Sequence, residues 1–316
     1  MDAYQVNVTD GSRRPHADLR FPTLTATVPK EFVHRAAVAE VMLTNWWRQD
    51  ETHFRVSAQW SRSHSFFTLI DGESYDPLMA AETIRQLGTL LAHAEFGLPL
   101  GHQFLVHDLA VAVRPEHLSG AGKPASLDID VVATMVRRHR GVLAGMRLEV
   151  VIRRDGNIVA TGGGSYTCLS PAVYARLRGG RTLSSEGGQP PLIAPAAPQS
   201  VGRMSPMDVV LSPTTEANRW QLRVDTRHPV LFDHPLDHVP GMVLLEAARQ
   251  ATAGLLKRSS LLPLDIAGDF RRYVELDSPC MIEARRMPRQ LPDGADTILV
   301  TGHQDGALCF SATVSA

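Results

Sequence analysis

The chain has 316 residues, 44% of them hydrophobic, and a formal net charge of −1. This length suits about two domains, and this composition is sufficient for well-packed cores. A balanced charge gives no general attraction for nucleic acid, so we expect no nucleic-acid partner. No signal-peptide pattern and no apolar run of membrane-spanning length is present, so we expect a cytoplasmic protein without a membrane partner.

Composition marks two weakly structured segments. Residues 1–25 are polar with scattered prolines and are typical of an extended arm. Residues 178–200 contain Gly-Gly, Ser-Ser and Pro-Pro pairs, which are typical of a linker. The sequence therefore predicts an N-terminal arm over 1–25, a first domain over 26–177, a linker over 178–200 and a second domain over 201–316.

Two predicted helices repeat the same polar stripe. Residues 79–86 read Met-Ala-Ala-Glu-Thr-Ile-Arg-Gln, and residues 243–250 read Val-Leu-Leu-Glu-Ala-Ala-Arg-Gln. The matched polar residues are Glu82, Arg85 and Gln86 in the first copy and Glu246, Arg249 and Gln250 in the second, at a constant offset of 164. Positions i, i+3 and i+4 share one helical face, and a charged stripe on an apolar helix is costly to bury without partners. The repetition indicates a duplicated domain that builds a reactive site from this stripe.

The rest of each half follows one pattern of a strand, a turn region, one long apolar helix and several antiparallel strands. Val33-His34-Arg35 matches Val201-Gly202-Arg203, and the Asp155-Gly156 and Asp305-Gly306 pairs predict tight hairpin turns. A helix that is apolar on most faces must be enclosed, and an antiparallel sheet curling around it meets that need. We therefore expect an α+β fold in which two such units join their sheets.

A histidine-rich segment precedes the second helix. It contains His228, His234 and His238 and ends in Pro-Gly-Met at residues 240–242. The first half has Ile70 in place of His234, so we expect one full site built from both halves rather than two equal sites. For His228 a structural role in a turn or core is the expectation.

No metal or cofactor pattern is evident. Cys168, Cys280 and Cys309 lack metal-ligand or CxxC spacing and are predicted to be reduced packing residues. His234 and His238 are four residues apart, but they lie in a proline-containing loop where helical ligand spacing does not apply. The glycines at 162–164 predict a bulge or a close backbone approach rather than a phosphate loop. We expect no metal and no cofactor.

Several motifs together resemble one family. The His…Pro-Gly…Glu-Ala arrangement is similar to the active-site segment of hot-dog β-hydroxyacyl-carrier-protein dehydratases. The fuller segment from Asp233 to Gln250, with residues 28–37 and 76–88, resembles the A-factor-type γ-butyrolactone synthases of actinomycetes. The resemblance covers about residues 28–175 and 201–316. His234 lies twelve residues before Glu246, two fewer than in the dehydratase pattern, which argues against a dehydratase geometry.

The resemblance implies a double hot-dog fold of two antiparallel sheets, each wrapped around one long central helix. It also implies an acyltransferase that moves a β-ketoacyl group from acyl carrier protein to the hydroxyl of dihydroxyacetone phosphate. That reaction is an early step toward butyrolactone or furan signals that control antibiotic production. The alternatives are a hot-dog dehydratase or thioesterase acting on acyl thioesters, and a non-catalytic acyl-binding regulator.

The residues receive physical roles from this chemistry. We expect Glu246 to be the catalytic base, because burial raises the pKa of a carboxyl group. We expect Arg249 to bind the acceptor's phosphate or the oxyanion. His234 and Glu82 are predicted to support catalysis. The predicted substrate-binding residues are Arg85, Gln86, Gln250, His238, Gly241 and Met242, the last two through backbone amides at the start of the helix.

Two alternatives stay open at this point. Glu246 and Arg249 are also compatible with an internal ion pair that stabilises its own burial. Glu82 and Arg85 are compatible with a structural pair retained after duplication. The basic clusters at residues 137–140 and 271–272 are candidate docking points for an acidic carrier protein.

Overall fold

The computed structural model describes residues 25–119, 123–179, 191–288 and 294–316. The predicted N-terminal arm lies outside these residues except for its last position. Residues 180–190 of the predicted linker also lie outside them. The division into domains therefore stays a prediction.

The two helices predicted around residues 79–86 and 243–250 are confirmed. They are α1 (Pro77–Ala94) and α4 (Gly241–Leu256), and the shorter helices are α2 (Pro115–Leu118) and α3 (Pro171–Leu177). Helix α1 begins where the Asp76 carboxylate accepts a hydrogen bond from the Leu78 amide at 2.9 Å, with Pro77 in the first turn. Helix α4 begins after Pro240 and ends at Leu256, and the next residue, Lys257, adopts a left-handed conformation with φ of 53°.

Twelve strands within the described residues form one antiparallel sheet. The first six strands are β1 (Leu43–Arg48), β2 (His53–Trp60), β3 (Gln103–Val113), β4 (Ala125–His139), β5 (Val142–Arg154) and β6 (Asn157–Leu169). The last six strands are β7 (Leu211–Pro213), β8 (Arg219–Leu222), β9 (Asp265–Phe270), β10 (Cys280–Arg286), β11 (Thr297–Gln304) and β12 (Ala307–Ser315).

The sheet order repeats itself from its two ends. The first half runs β1-β2-β4-β5-β6-β3, and the second half, read from the far edge, runs β7-β8-β10-β11-β12-β9 in the same topology. Strands β3 and β9 meet in the middle, where Leu109 pairs with Gly268. The two expected sheets are therefore joined into one.

The two predicted hairpin turns are confirmed. Asp155 and Gly156 have φ of 51° and 79°, and Asp305 and Gly306 have φ of 51° and 74°. Two successive positive φ angles define the type I′ turn, whose twist matches that of the flanking strands. These turns fix the register of β5 with β6 and of β11 with β12.

Helix α1 packs against strands β3, β5 and β6 of the first half of the sheet. Its apolar residues, among them Leu78, Leu87 and Leu90, are buried, while β4 alternates buried and exposed positions. A Cβ at Gly162 would lie 2.7 Å from Ile84 Cδ1 and would also collide with a neighbouring backbone carbonyl. The expected close backbone approach is confirmed, and it lets α1 pack directly on β6.

The cysteine thiols are free, and Cys280 and Cys309 are buried. Burial raises the pKa of both Cys168 and Cys280 to about 12, so these thiols are poor nucleophiles at neutral pH. No helix within the described ranges is long and apolar enough to cross a bilayer.

Candidate active site

The first polar stripe closes into a buried network around Glu82. Arg35, from the loop before β1, places Nη2 2.7 Å from Glu82 Oε1. Arg85 donates from Nε to Glu82 Oε2 at 2.8 Å, and Gln86 donates from Nε2 to Oε1 at 2.7 Å. One carboxylate thus accepts hydrogen bonds from two guanidinium groups and one amide.

The second stripe makes the same network around Glu246. Arg203 donates from Nε to Glu246 Oε1 at 2.8 Å, Arg249 from Nε to Oε2 at 2.9 Å, and Gln250 from Nε2 to Oε1 at 2.5 Å. Glu246 is 0% exposed. The internal pair between Glu246 and Arg249 that the sequence left open is therefore present, with Arg203 as a further partner.

The expected high pKa of Glu246 is wrong. Burial alone pushes the pKa of this carboxyl group upward, but Arg203 and Arg249 outweigh that effect and hold it at about 2. The pKa of Glu82 is lowered to about 2 in the same way, against its own burial, by Arg35 and Arg85. Each carboxylate is a fixed negative charge at neutral pH, and a poor proton acceptor.

The glutamines of the two polar stripes connect the helices to the preceding loops through hydrogen bonds. Gln86 accepts from the Met42 amide at 3.0 Å and donates to the Glu40 carbonyl at 2.8 Å. Gln250 makes the matching two bonds in the second half at the same lengths. These side chains are fully committed to backbone groups and to their glutamates.

The loop arginines also connect the two halves reciprocally. Arg35 Nη1 donates to the carbonyl of Val230 at 3.1 Å, and Arg203 Nη1 donates to the carbonyl of Phe66 at 2.5 Å. Arg203 further lies over the Phe66 ring, with its Cζ 4.1 Å from the ring centroid.

His228 is buried and its Nδ1 accepts from two following amides, which confirms the expected structural role.

A cavity of about 240 Å³ lies between the two central helices and the middle strands. Both halves of the chain line it. The predicted site residues on its wall are Arg85, His234, His238, Gly241 and Met242. The predicted site residues away from its wall are Glu82, Gln86, Glu246, Arg249 and Gln250.

Arg85 and Arg249 occupy matching positions but have different surroundings. Arg249 is 1% exposed, and its Nη1 faces the Gly202 carbonyl at 3.4 Å. The Arg85 side chain is 23% exposed and binds Glu82 and the Val33 carbonyl through Nε and Nη2. Arg85 lines the cavity, and its Nη1 makes no hydrogen bond to any described residue, so it can present two N–H donors to an anion there.

His34 is a cavity residue that the sequence analysis did not select. It adopts a left-handed conformation with φ of 52°, where the second half has Gly202 with φ of 72°. Its Nε2 lies 2.9 Å from Nε2 of His93, whose Nδ1 lies 2.7 Å from the Leu98 carbonyl. Because that carbonyl requires a proton on His93 Nδ1, we assign the shared proton to His34 Nε2. Burial, followed by the charges of His93 and Arg85, lowers the pKa of His34 to about 3, so its ring is neutral.

His234 and Asp233 lie at the junction of the halves. The Asp233 carboxylate accepts from the amides of Ala36 at 2.6 Å and Ala37 at 3.2 Å, across the interface. His234 Nδ1 is 3.5 Å from Asp233 Oδ2, a long contact. Burial lowers the pKa of His234, with Asp233 opposing the shift. Asp233 therefore binds mainly the loop backbone amides and makes only a weak contact with His234.

His238 makes a shorter bond to a carboxylate. Its Nδ1 lies 2.7 Å from Asp237 Oδ1, and its side chain is 22% exposed. The ring packs edge-on against Tyr273, with the centroids 4.6 Å apart. Both rings line the cavity.

The N-terminus of α4 also borders the cavity. In α1 the Asp76 carboxylate caps the Leu78 amide, whereas α4 follows Pro240 and, among the described residues, has no side-chain cap. Met242 occupies the position that matches Leu78. Its uncapped amide and that of Gly241 can therefore bind an oxygen that gains negative charge, assisted by the helix dipole.

The remaining walls of the cavity are mostly apolar. The residues concerned include Ile84, Phe104, Leu109, Leu148, Tyr166, Leu244 and Phe270. The Tyr166 hydroxyl donates to the Gly88 carbonyl of α1 at 2.7 Å, which leaves the ring itself as a wall. Such a chamber suits a hydrocarbon chain.

Three comparisons relate the chain to known proteins. A family model described as the A-factor biosynthesis hotdog domain matches residues 17–170 and 185–316. The chain is 53% identical over 291 residues to a Streptomyces virginiae protein named 2-oxo-3-(phosphooxy)propyl 3-oxoalkanoate synthase, covering 92% of this chain and 98% of that protein. It is 39% identical over 289 residues to a Streptomyces griseus protein of the same name, covering 90% and 94%.

Among solved structures, the chain is similar to an acyl-ACP thioesterase from Bacteroides thetaiotaomicron. The TM-score is 0.49 with 11% sequence identity, and the match covers 83% of this chain and 97% of that one. A 12:0-ACP thioesterase from Umbellularia californica gives a TM-score of 0.47 with 12% identity, covering 85% and 98%.

Proposed function

This chain belongs to the A-factor biosynthesis hot-dog family, and we propose from that premise that it is an acyltransferase. It moves a 3-oxoacyl group from the thioester of an acyl carrier protein to the hydroxyl of dihydroxyacetone phosphate. The name of the relatives describes the matching product, an ester of a 3-oxoalkanoate with a phosphorylated three-carbon alcohol that carries a ketone. The product lies on the way to butyrolactone or furan signals.

The observation that carries this proposal is one cavity with an apolar chamber and the open guanidinium edge of Arg85. The chamber suits the acyl chain, and Arg85 suits the acceptor's phosphate, because a planar fork of donors matches phosphate oxygens. A dehydratase or thioesterase has no anionic acceptor to hold. The arginine therefore favours transfer over those alternatives.

The chemistry follows from the same arrangement. The acceptor oxygen attacks the thioester carbonyl while its proton passes to a cavity base, and the carbonyl oxygen takes up negative charge. The amides of Gly241 and Met242 bind that oxygen. The carbon–sulfur bond then breaks, and the departing sulfur takes the proton back from the base and leaves as the carrier's thiol.

We assign the sealed residues a scaffolding role. Glu246 and Arg249 lie away from the cavity wall and satisfy each other, so the base and phosphate-binding roles fall to other residues. Glu82 holds Arg35 and Arg85 in place, and Gln86 and Gln250 anchor loops. Glu82 thus contributes to the site through Arg85 rather than by contact with substrate.

We also propose that the chain is a double hot-dog, with one unit over residues 26–177 and another over 201–316. The repeated strand order, the repeated glutamate networks and the reciprocal bonds of Arg35 and Arg203 support this division. In each unit one central helix packs against its own half of the sheet.

The test is product formation from a 3-oxoacyl carrier protein with dihydroxyacetone phosphate, followed by mass spectrometry. We expect the phosphorylated ester and stoichiometric free carrier thiol. Unphosphorylated dihydroxyacetone is the matched control and should react at least tenfold less efficiently. Release of free acid or of an enoyl thioester without any ester would instead support a thioesterase or dehydratase. Thermal stabilisation by acyl ligands without turnover of any thioester would support an acyl-binding regulator.

A further inference from the structure

We propose that His238, oriented by Asp237, is the base that removes the proton from the acceptor hydroxyl, with Tyr174 and Arg178 as positioning residues. This inference rests on the proposed transfer reaction. It assigns the base to a pair of adjacent residues that lies outside the duplicated stripe. The corresponding positions of the first half are Glu73 and Ser74, so the pair occurs once at this cavity.

The hydrogen bonds fix the ring in a usable form. Asp237 Oδ1 accepts from His238 Nδ1 at 2.7 Å, so the proton of the neutral ring belongs on Nδ1. Nε2 then carries the lone pair, and it makes no hydrogen bond to any residue in the described ranges. The side chain lines the cavity, where that lone pair can meet a hydroxyl.

Asp237 is itself held by the end of the first half. Tyr174, in α3, donates its hydroxyl to Asp237 Oδ1 at 2.6 Å, and Arg178 donates from Nε to Oδ2 at 2.9 Å. These donors, with His238, hold the pKa of Asp237 far below its usual range in spite of burial, so the carboxylate stays charged. The phenol remains protonated, because burial and Asp237 raise the pKa of Tyr174.

Arg178 is fully committed to this support. It binds Glu275 through Nη1 at 2.8 Å and Nη2 at 2.6 Å, and Nη2 also donates to the Asp237 carbonyl at 3.1 Å. Its guanidinium lies over the Tyr273 ring at 4.4 Å. Arg178 is buried although it opens the predicted linker, and its N–H groups are directed at protein acceptors rather than at the cavity.

The other cavity histidines are less suited. His34 shares its Nε2 proton with His93, and a ring whose pKa lies at about 3 accepts a proton poorly at neutral pH. His234 has a carboxylate contact of 3.5 Å to an Asp233 that already binds two backbone amides. His238 combines the short carboxylate bond with a place three residues before the uncapped start of α4.

His238 alone can take up the proton and give it back during the reaction. Nε2 takes the hydroxyl proton as the acceptor oxygen bonds to the thioester carbon, giving an imidazolium and a tetrahedral oxyanion. When the carbon–sulfur bond breaks, the imidazolium returns that proton to the departing thiolate. Asp237 remains an anion throughout and stabilises the imidazolium.

The first experiment is the kinetics of His238→Asn and Asp237→Asn with carrier-bound substrate and dihydroxyacetone phosphate. General base removal typically costs 10²- to 10⁴-fold, so we expect kcat to fall at least about a hundredfold, with KM for the acceptor changed less than about threefold. The matched control is the exposed His53–Asp50 pair, with Nδ1 2.9 Å from Oδ1, where His53→Asn should leave kcat unchanged.

The second experiment is ¹⁵N NMR of histidine-labelled protein, which reads the tautomer directly and needs no variant of His238. We expect protonated Nδ1 in the wild type and a shift toward protonated Nε2 in Asp237→Asn. A folded His238→Asn enzyme with kcat within threefold of wild type, or a wild-type ring protonated on Nε2, would overturn the assignment. Absence of ester from the wild type would instead refute the transfer reaction itself.

Discussion

Arg85 and Arg249 stand one helical turn after matching glutamates, yet Arg85 opens on the cavity and Arg249 is sealed from it. The two networks share their hydrogen-bond pattern, so the difference lies in what surrounds them. In the second half the carbonyl of Gly202 accepts a hydrogen bond from Nη1 of Arg249. In the first half His34 takes the matching position and the cavity adjoins Arg85.

Replacing Arg85 by lysine should weaken recognition of the phosphate. Lysine keeps the charge but loses the planar fork, and a hydrogen bond to a charged group contributes about 1.5–3 kcal/mol. We expect KM for dihydroxyacetone phosphate to rise about tenfold or more, with a smaller change for unphosphorylated dihydroxyacetone. Steady-state kinetics with both acceptors measures this, and Arg55→Lys at an exposed position of β2 is the control. Equal effects on both acceptors would remove the phosphate role.

Replacing Glu246 by glutamine should destabilise the protein. Arg203 and Arg249 would remain buried without their counter-charge, and breaking a buried ion pair costs about 3–5 kcal/mol. Urea unfolding measures the loss, and Glu51→Gln at an exposed turn should change stability by less than about 0.5 kcal/mol. A Glu246→Gln protein that unfolds like the wild type but is inactive would return the catalytic role to Glu246.

The stability of the wild type should decline in acid below pH 4.5. Glu82 and Glu246 have pKa values lowered to about 2 from an ordinary 4.5, so their stabilisation is complete above pH 4.5 and is lost as pH falls toward 2. With two such groups, the free energy of unfolding should fall by up to about 2.7 kcal/mol per pH unit across that window. Urea titrations at several pH values measure the slope. A flat profile between pH 4.5 and 3 would contradict the charged networks.

His34→Gly should be tolerated where Gly202→Ala is not. Glycine relieves the left-handed conformation at residue 34, which offsets the lost bond to His93, so stability should change by no more than about 1 kcal/mol. A Cβ at residue 202 would lie 3.2 Å from Arg249 Nη1 on a backbone with φ of 72°, and should cost about 1–2 kcal/mol. Thermal unfolding of both variants compares them. The opposite ranking would be inconsistent with the proposed repeat.

Reversing the charge of Arg272 should affect the carrier protein more than the chemistry. Arg272 is exposed at the cavity rim, where it can meet an acidic carrier or its phosphate-bearing arm. We expect Arg272→Glu to lower kcat/KM about tenfold with carrier-bound substrate and to change it little with a small thioester mimic. Arg62→Glu, a charge reversal at an exposed site off the cavity wall, is the control. Equal losses with both substrates would contradict docking at this rim.

The repeated stripe, both central helices, the hairpin turns and the family were predictable from the sequence. The offset between Glu82 and Glu246 shows the duplication directly, and two positive φ angles follow from each Asp-Gly pair. The partners of the glutamates were harder to identify. Arg35 and Arg203 reach them from loops more than forty residues away, a relationship that helical spacing does not give.

The expectation of a high pKa for Glu246 was wrong for the same reason, because a loop arginine was not visible as its partner. A buried carboxyl group with one helical arginine can titrate high or low, and the second arginine decides the direction. His34 had a usable signal, because alignment of the repeats sets it against Gly202. Tyr174 and Arg178 had none, since only the folded chain brings α3 to Asp237.

Both walls of the cavity belong to one polypeptide, and the reciprocal hydrogen bonds of Arg35 and Arg203 hold them together. A cleft formed between two separate subunits is lost when the protein is diluted, because the subunits dissociate. Here the walls cannot separate without unfolding, so turnover per molecule should hold at any dilution that leaves the fold intact.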